Sequence, residues 1–115
     1  MPIEAEYAVP GPSRDEVDQW QGPAVLEFGT AWCGYCQAAQ PIIARALAAF
    51  PEAKHIKVED GPGRSLGRSF RVKLWPTLIF LRDGREVARA VRPSDADEIR
   101  RGLQLITESR GEKRD

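Results

Sequence analysis

Histidine and methionine each occur once in this 115-residue chain, and cysteine twice. His55 and one cysteine pair cannot close a zinc site without carboxylates or a second chain, so no resident metal is expected. No histidine is placed to suggest a Cys–His hydrolase. Two cysteines form at most one disulfide, which excludes a cystine-stapled scaffold. A surplus of charge is missing as well, because 17 Lys+Arg balance 17 Asp+Glu. Without a basic excess, neither nucleic acid nor an anionic membrane surface is an expected partner. No apolar run approaches the length of a membrane span. Met1 to Tyr7 lacks the basic start and apolar stretch of a secretory signal. The expectation is a cytoplasmic protein. What remains is ordinary: 42% hydrophobic and 30% charged residues, without repeats or low-complexity tracts, enough for a single domain over 1–115.

The chain alternates between strand and helix signals. Glu4 to Val9 reads as a short edge strand, and Pro10-Gly11-Pro12 breaks it. Ser13 and Glu16 fit a capping box that opens a short helix ending near Trp20. Ala24 to Gly29 reads as a strand. From Gln37 to Phe50, Ile42, Ile43, Ala46, Leu47 and Phe50 recur at helical spacing, with Pro41 expected to kink the helix. Ala53 to Val58 is a second strand and Arg64 to Phe70 a short basic helical turn. Leu74 to Leu81, interrupted by Pro76, is a third strand. Asp83-Gly84 is a hairpin signal leading into Glu86 to Val91. Ser94 is expected to cap a last helix with Ile99, Leu103 and Ile106 on one face. Residues 108–115 form a charged tail expected to fray. The order predicts an α/β fold with a mixed sheet of four or five strands between helices.

Both cysteines lie in Trp32-Cys33-Gly34-Tyr35-Cys36, between the first strand and the helix after it. A Cys-x-x-Cys entering a helix from a strand is the context of a dithiol redox site. Cys33 falls at the helix start and Cys36 one turn on, on the same face. The helix dipole and the unpaired amides of its first turn favour a thiolate at Cys33, which makes it the nucleophile. Cys36, deeper in the helix, becomes the resolving thiol.

These residues resemble the thioredoxin family. The resemblance rests on Val25-Leu26-Glu27-Phe28, Trp32-Cys33-Gly34-Tyr35-Cys36, Pro41, Lys57, Pro76-Thr77 and Asp83-Gly84, and is firmest from Ala24 to Ile106. It implies the three-layer α/β/α thioredoxin fold and thiol–disulfide exchange with protein disulfides. It also implies a flavoprotein reductase or glutathione as reductant, and no bound cofactor; a monomer is expected. Glu27 matches the family's buried acid, usually Asp, and is the expected proton acceptor for Cys36. Lys57 matches the lysine that tunes this acid. Pro76 matches the family's cis proline, which packs on the disulfide, excludes metal and aligns substrate. Trp32, Gly34, Tyr35, Trp75, Pro76 and Arg92 form the expected substrate-binding set, with the Trp75 backbone offering itself to an added strand. Tyr35 replaces the proline usual in thioredoxins; its restored amide is expected to stabilise the Cys33 thiolate and raise the reduction potential. Arg92 stands where the family often has glycine, and is expected to narrow the groove or select acidic targets. Two other readings keep the fold: a binding module with a passive disulfide, or a periplasmic disulfide oxidase or isomerase.

Overall fold

The computed structural model describes residues 6–108. Its elements run α1 (Arg14–Asp18), β1 (Pro23–Gly29), α2 (Gly34–Ala48), β2 (Lys54–Glu59), α3 (Ser65–Ser69), β3 (Thr77–Arg82), β4 (Arg85–Val91) and α4 (Ala96–Thr107). The four strands form one mixed sheet in the order β2-β1-β3-β4. β1 runs parallel to β2, while β3 is antiparallel to both β1 and β4.

Alternation along the strands divides the core into two layers. Val25, Leu78 and Phe80 face α2 and α4, where they meet Ala39, Ile43, Ile99, Leu103 and Ile106. Leu26, Phe28, Ile79 and Leu81 face the other way, against Val17 of α1 and Leu66 and Phe70 beside α3. Central β1 is buried on both faces, and burying each large apolar side chain there is worth about 1.5–3 kcal/mol. This is the three-layer α/β/α arrangement, with four strands.

Local signals explain the element ends. The Ser13 hydroxyl accepts from the Glu16 amide at 3.0 Å, and the Glu16 carboxylate accepts from the Ser13 amide at 2.9 Å, closing the capping box. Asp83 (φ 53°) and Gly84 (φ 81°) turn the β3–β4 hairpin in the left-handed region. A side chain on Gly84 would strike the Asp18 carbonyl, because its Cβ would lie 2.6 Å from that oxygen.

Three expectations shift. The last helix is capped by Asp95, whose carboxylate accepts from the Glu98 amide at 3.0 Å; Ser94 does not cap it. β3 starts at Thr77 instead of Leu74, after the cis Trp75–Pro76 bond, because proline has no amide to enter the ladder. α2 remains helical through Pro41. Of the edge strand expected over 4–9, a parallel bridge from Ala8 to Val58 is present, and residues 4 and 5 lie outside the described residues. Residues 109–115 of the expected tail also lie outside them.

Candidate functional site

Both cysteines lie where β1 hands over to α2. Cys33 is the helix N-cap, in extended conformation at φ −81° and ψ 122°. Its sulfur accepts from the Cys36 amide at 3.2 Å, so a first-turn donor that would otherwise be unpaired is spent on sulfur. The amide Tyr35 restores is not that donor. Both cysteines are free thiols and both are buried. Burial first, then the neighbouring Cys33 sulfur, pushes the Cys36 thiol up to about 11. Gly29 permits this packing: a Cβ there would lie 2.5 Å from the Cys36 sulfur.

In front of the pair stands an exposed aromatic rim. Trp32 is 74% exposed and Tyr35 61%. The Trp32 and Trp75 rings meet edge-on at 5.7 Å. The Trp75 indole N–H donates to Asp60 at 2.9 Å, fixing that ring. Arg92 fastens the rim: its guanidinium lies 3.8 Å over the Tyr35 ring, and its Nε donates to the Trp75 carbonyl at 2.7 Å. The Arg92 amide donates to the Pro76 carbonyl at 2.8 Å. At φ 49°, Arg92 sits in left-handed backbone that glycine adopts without cost. The Trp75 carbonyl, part of the backbone expected to meet an incoming strand, thus already accepts one hydrogen bond. A Cβ on Gly34 would meet nothing within 4 Å, so the helix start faces open space.

Behind the pair lies a buried polar cluster. Glu27, fully buried on β1, accepts from the Gln40 amide group at 2.8 Å on one oxygen. Its other oxygen is 2.8 Å from His55 Nε2. Burial alone would raise this carboxyl, but hydrogen bonds from His55 and Gln40, with the nearby His55 and Lys57 charges, hold it below the usual carboxylate range. Lys57 reaches the cluster through Gln40, donating to its Oε1 at 3.1 Å. Both Glu27 oxygens are thus engaged, and Lys57 bonds Gln40 while its charge bears on Glu27. The register pairs Glu27 with Lys57 and Val25 with His55, so the Glu27, His55 and Lys57 side chains share one face. Gln40, His55 and Tyr7 were not among the expected site residues. Gln40 was open to discovery as the residue one turn after Cys36, and its side chain also donates to the Cys36 carbonyl at 3.0 Å.

The Thioredoxin family pattern matches residues 12–105. The chain belongs to the thioredoxin family. A thioredoxin of Chlamydia trachomatis is 31% identical over 86 residues, covering 75% of this chain and 81% of that one. Thioredoxin H2-1 of Oryza sativa subsp. japonica is 29% identical over 85 residues, covering 74% of this chain and 61% of that one. The structure of thioredoxin 2 from Pseudomonas aeruginosa PAO1 in its reduced form superposes with a TM-score of 0.81 at 56% identity, covering 90% of this chain and 96% of that one. This thioredoxin membership and the Cys33–Cys36 spacing support thiol–disulfide oxidoreductase activity. Among the described residues, no helix is long and apolar enough to cross a membrane.

Proposed function

We propose that this chain is a monomeric, cytoplasmic reductant of protein disulfides, working through Cys33 as nucleophile and Cys36 as resolving thiol. The carrying observation is the helix-capping sulfur: Cys33 accepts an amide at the positive end of α2, where negative charge is stabilised. Cys33 attacks one sulfur of the target disulfide and releases the other as a thiolate. Cys36 then attacks Cys33, forming the Cys33–Cys36 disulfide and releasing the second target thiolate. Two electrons pass to the target, and no bound cofactor takes part. A flavoprotein reductase drawing on NADPH, or glutathione, restores the dithiol. The cytoplasm suits this direction, because its glutathione pool keeps such pairs reduced.

Trp32, Tyr35, Trp75 and Pro76 supply the docking surface for the target, with Gly34 leaving room for its chain. Arg92 is a clasp across that groove. Its guanidinium already takes one of the two acceptor positions of the Trp75 carbonyl, and an acidic target side chain is the natural partner to draw it off. Glu27 organises the cluster behind Cys36, with Gln40 and His55 as its contacts to the helix and to β2 and Lys57 bonded to Gln40.

The test is insulin-disulfide reduction with glutathione or a thioredoxin reductase as electron source, paired with titration of the dithiol against glutathione buffers. We expect catalytic reduction of insulin and a reversible midpoint in the glutathione titration. A pair that mild reductants never open, or that reduces no protein disulfide, contradicts the proposal.

A further inference from the structure

Cys36 has a second neighbourhood, on the side away from the aromatic rim. A cavity of about 430 Å³ reaches it there, lined by Tyr7, Thr30, Gln40 and Lys57 among others. Tyr7 arrives from the segment before α1, which Ala8 ties to the edge of β2 by donating its backbone N–H to the Lys57 carbonyl at 2.7 Å. The Lys57 ammonium lies 4.5 Å from the centre of the Tyr7 ring, holding it against the strand. The phenol end meets Cys36 across Gly29. A Cβ on Gly29 would lie 2.5 Å from the Cys36 sulfur and 3.2 Å from the Tyr7 hydroxyl, so the bare glycine backbone is what lets both groups occupy this corner. Thr30 also lines the cavity, and its buried hydroxyl has no hydrogen-bond partner among the described residues.

We propose that the Tyr7 hydroxyl is a catalytic hydrogen-bond donor to the Cys36 sulfur during resolution, and that the cavity is the water route by which the Cys36 proton leaves. This rests on the reading of Cys33 as nucleophile and Cys36 as resolving thiol. In the mixed disulfide, the Cys36 thiol gives its proton to cavity water. The thiolate, held by the Tyr7 O–H, attacks Cys33. The Cys33–Cys36 bond forms, the Cys33–target bond breaks, and the target departs as a thiolate that takes up a proton from solvent.

The direction of each pKa agrees. Cys36 is pushed up by burial and by the Cys33 sulfur; a Thr30 backbone hydrogen bond pulls it back down, and Tyr7 acts in the same direction by a smaller amount. Tyr7 itself is pushed above the usual phenol range, by burial first and then by Glu27 and Cys36. The phenol therefore keeps its proton and acts as a donor rather than a base. The other charged groups at this corner are Glu6 and Glu59 in the cavity wall, Lys57, and Glu27 with His55 beneath Gln40. Both Glu27 oxygens are engaged elsewhere, while the Tyr7 hydroxyl and the Cys36 sulfur converge on Gly29.

The experiment follows the full reduced chain reacting with Ellman's reagent in stopped flow. Cys33 attack releases the first thionitrobenzoate, and Cys36 resolution releases the second. In Tyr7→Phe we expect an unchanged first phase and a second phase slowed roughly tenfold, the worth of one hydrogen bond to a charged group. The pH at which the second phase reaches half its maximum should move upward. A second phase with wild-type rate and pH profile overturns the role of Tyr7. A first phase that does not modify Cys33, read by peptide mass, instead overturns the underlying reading of the pair. A wild-type measurement covers the case in which Tyr7→Phe does not fold. The ring ¹³C resonance of Tyr7 should titrate together with the Cys36 ¹³Cβ, and a Tyr7 signal flat through that transition overturns the proposal.

Discussion

The two sides of the cysteine pair are built on opposite principles. The front, around Cys33, is exposed aromatic surface held by a clasp from Arg92 to Tyr35 and the Trp75 carbonyl. The back, around Cys36, is a buried network running from Lys57 through Gln40 to Glu27 and His55. Front residues meet solvent and partner, so their loss changes what is bound. Back residues are largely buried, with little solvent to replace a lost partner, so their loss changes stability and proton handling. One disulfide exchange draws on both: recognition and attack at the front, resolution at the back.

The largest test of this division is Glu27→Ala. Removing the fully buried carboxylate leaves the part-buried His55 and Gln40 amide group without their acceptor, and should cost about 3 kcal/mol of stability in urea unfolding. Trp32→Ala, at a residue 74% exposed, should stay within about 0.5 kcal/mol in the same assay while raising KM for a protein disulfide. Comparable stability losses for the two would erase the front–back distinction.

Gly29→Ala comes next. Its Cβ would overlap the Cys36 sulfur, so either the helix start shifts or the sulfur does, at about 2 kcal/mol. Calorimetry gives the cost, and the slow phase with Ellman's reagent should suffer more than the fast one.

A smaller effect is expected at Arg92→Glu. Reversing the charge beside the groove should move the preference between acidic and basic target peptides by roughly fivefold in kcat/KM, on the scale of one exposed ion pair. An unchanged preference would leave Arg92 as a clasp without selectivity.

The smallest is a pH effect. Glu27 is held below its ordinary range in the folded state. Its contribution is therefore present above the unfolded carboxyl value, about 4.3, and is lost as pH falls through the lower folded value. The stability gap between wild type and Glu27→Gln should be flat from about pH 6 to 5 and narrow below about pH 4. A gap that widens in acid would mean the buried carboxyl is held protonated instead.

Much of the frame was legible from local chemistry. The Ser13–Glu16 box, the apolar run of β1, the helical spacing after Cys36 and the Asp83-Gly84 turn each encode their element within a few residues. The back of the site was harder to read because it is assembled across the chain. His55 joins Glu27 through the parallel register of β1 and β2, which no local pattern records. Tyr7 reaches Cys36 only because Gly29 lacks a side chain 22 positions further on. The clasp at Arg92 depends on a left-handed backbone after β4, which an arginine gives no reason to expect. Ser94 and Asp95 are adjacent and both good caps, so the choice between them needed the structure.

Limiting alkylation of the reduced wild-type chain at neutral pH, read by peptide mass, tests the division most directly. Carbamidomethyl label on Cys33 well ahead of Cys36 is the predicted result; label first on Cys36, or equally on both, would contradict the account.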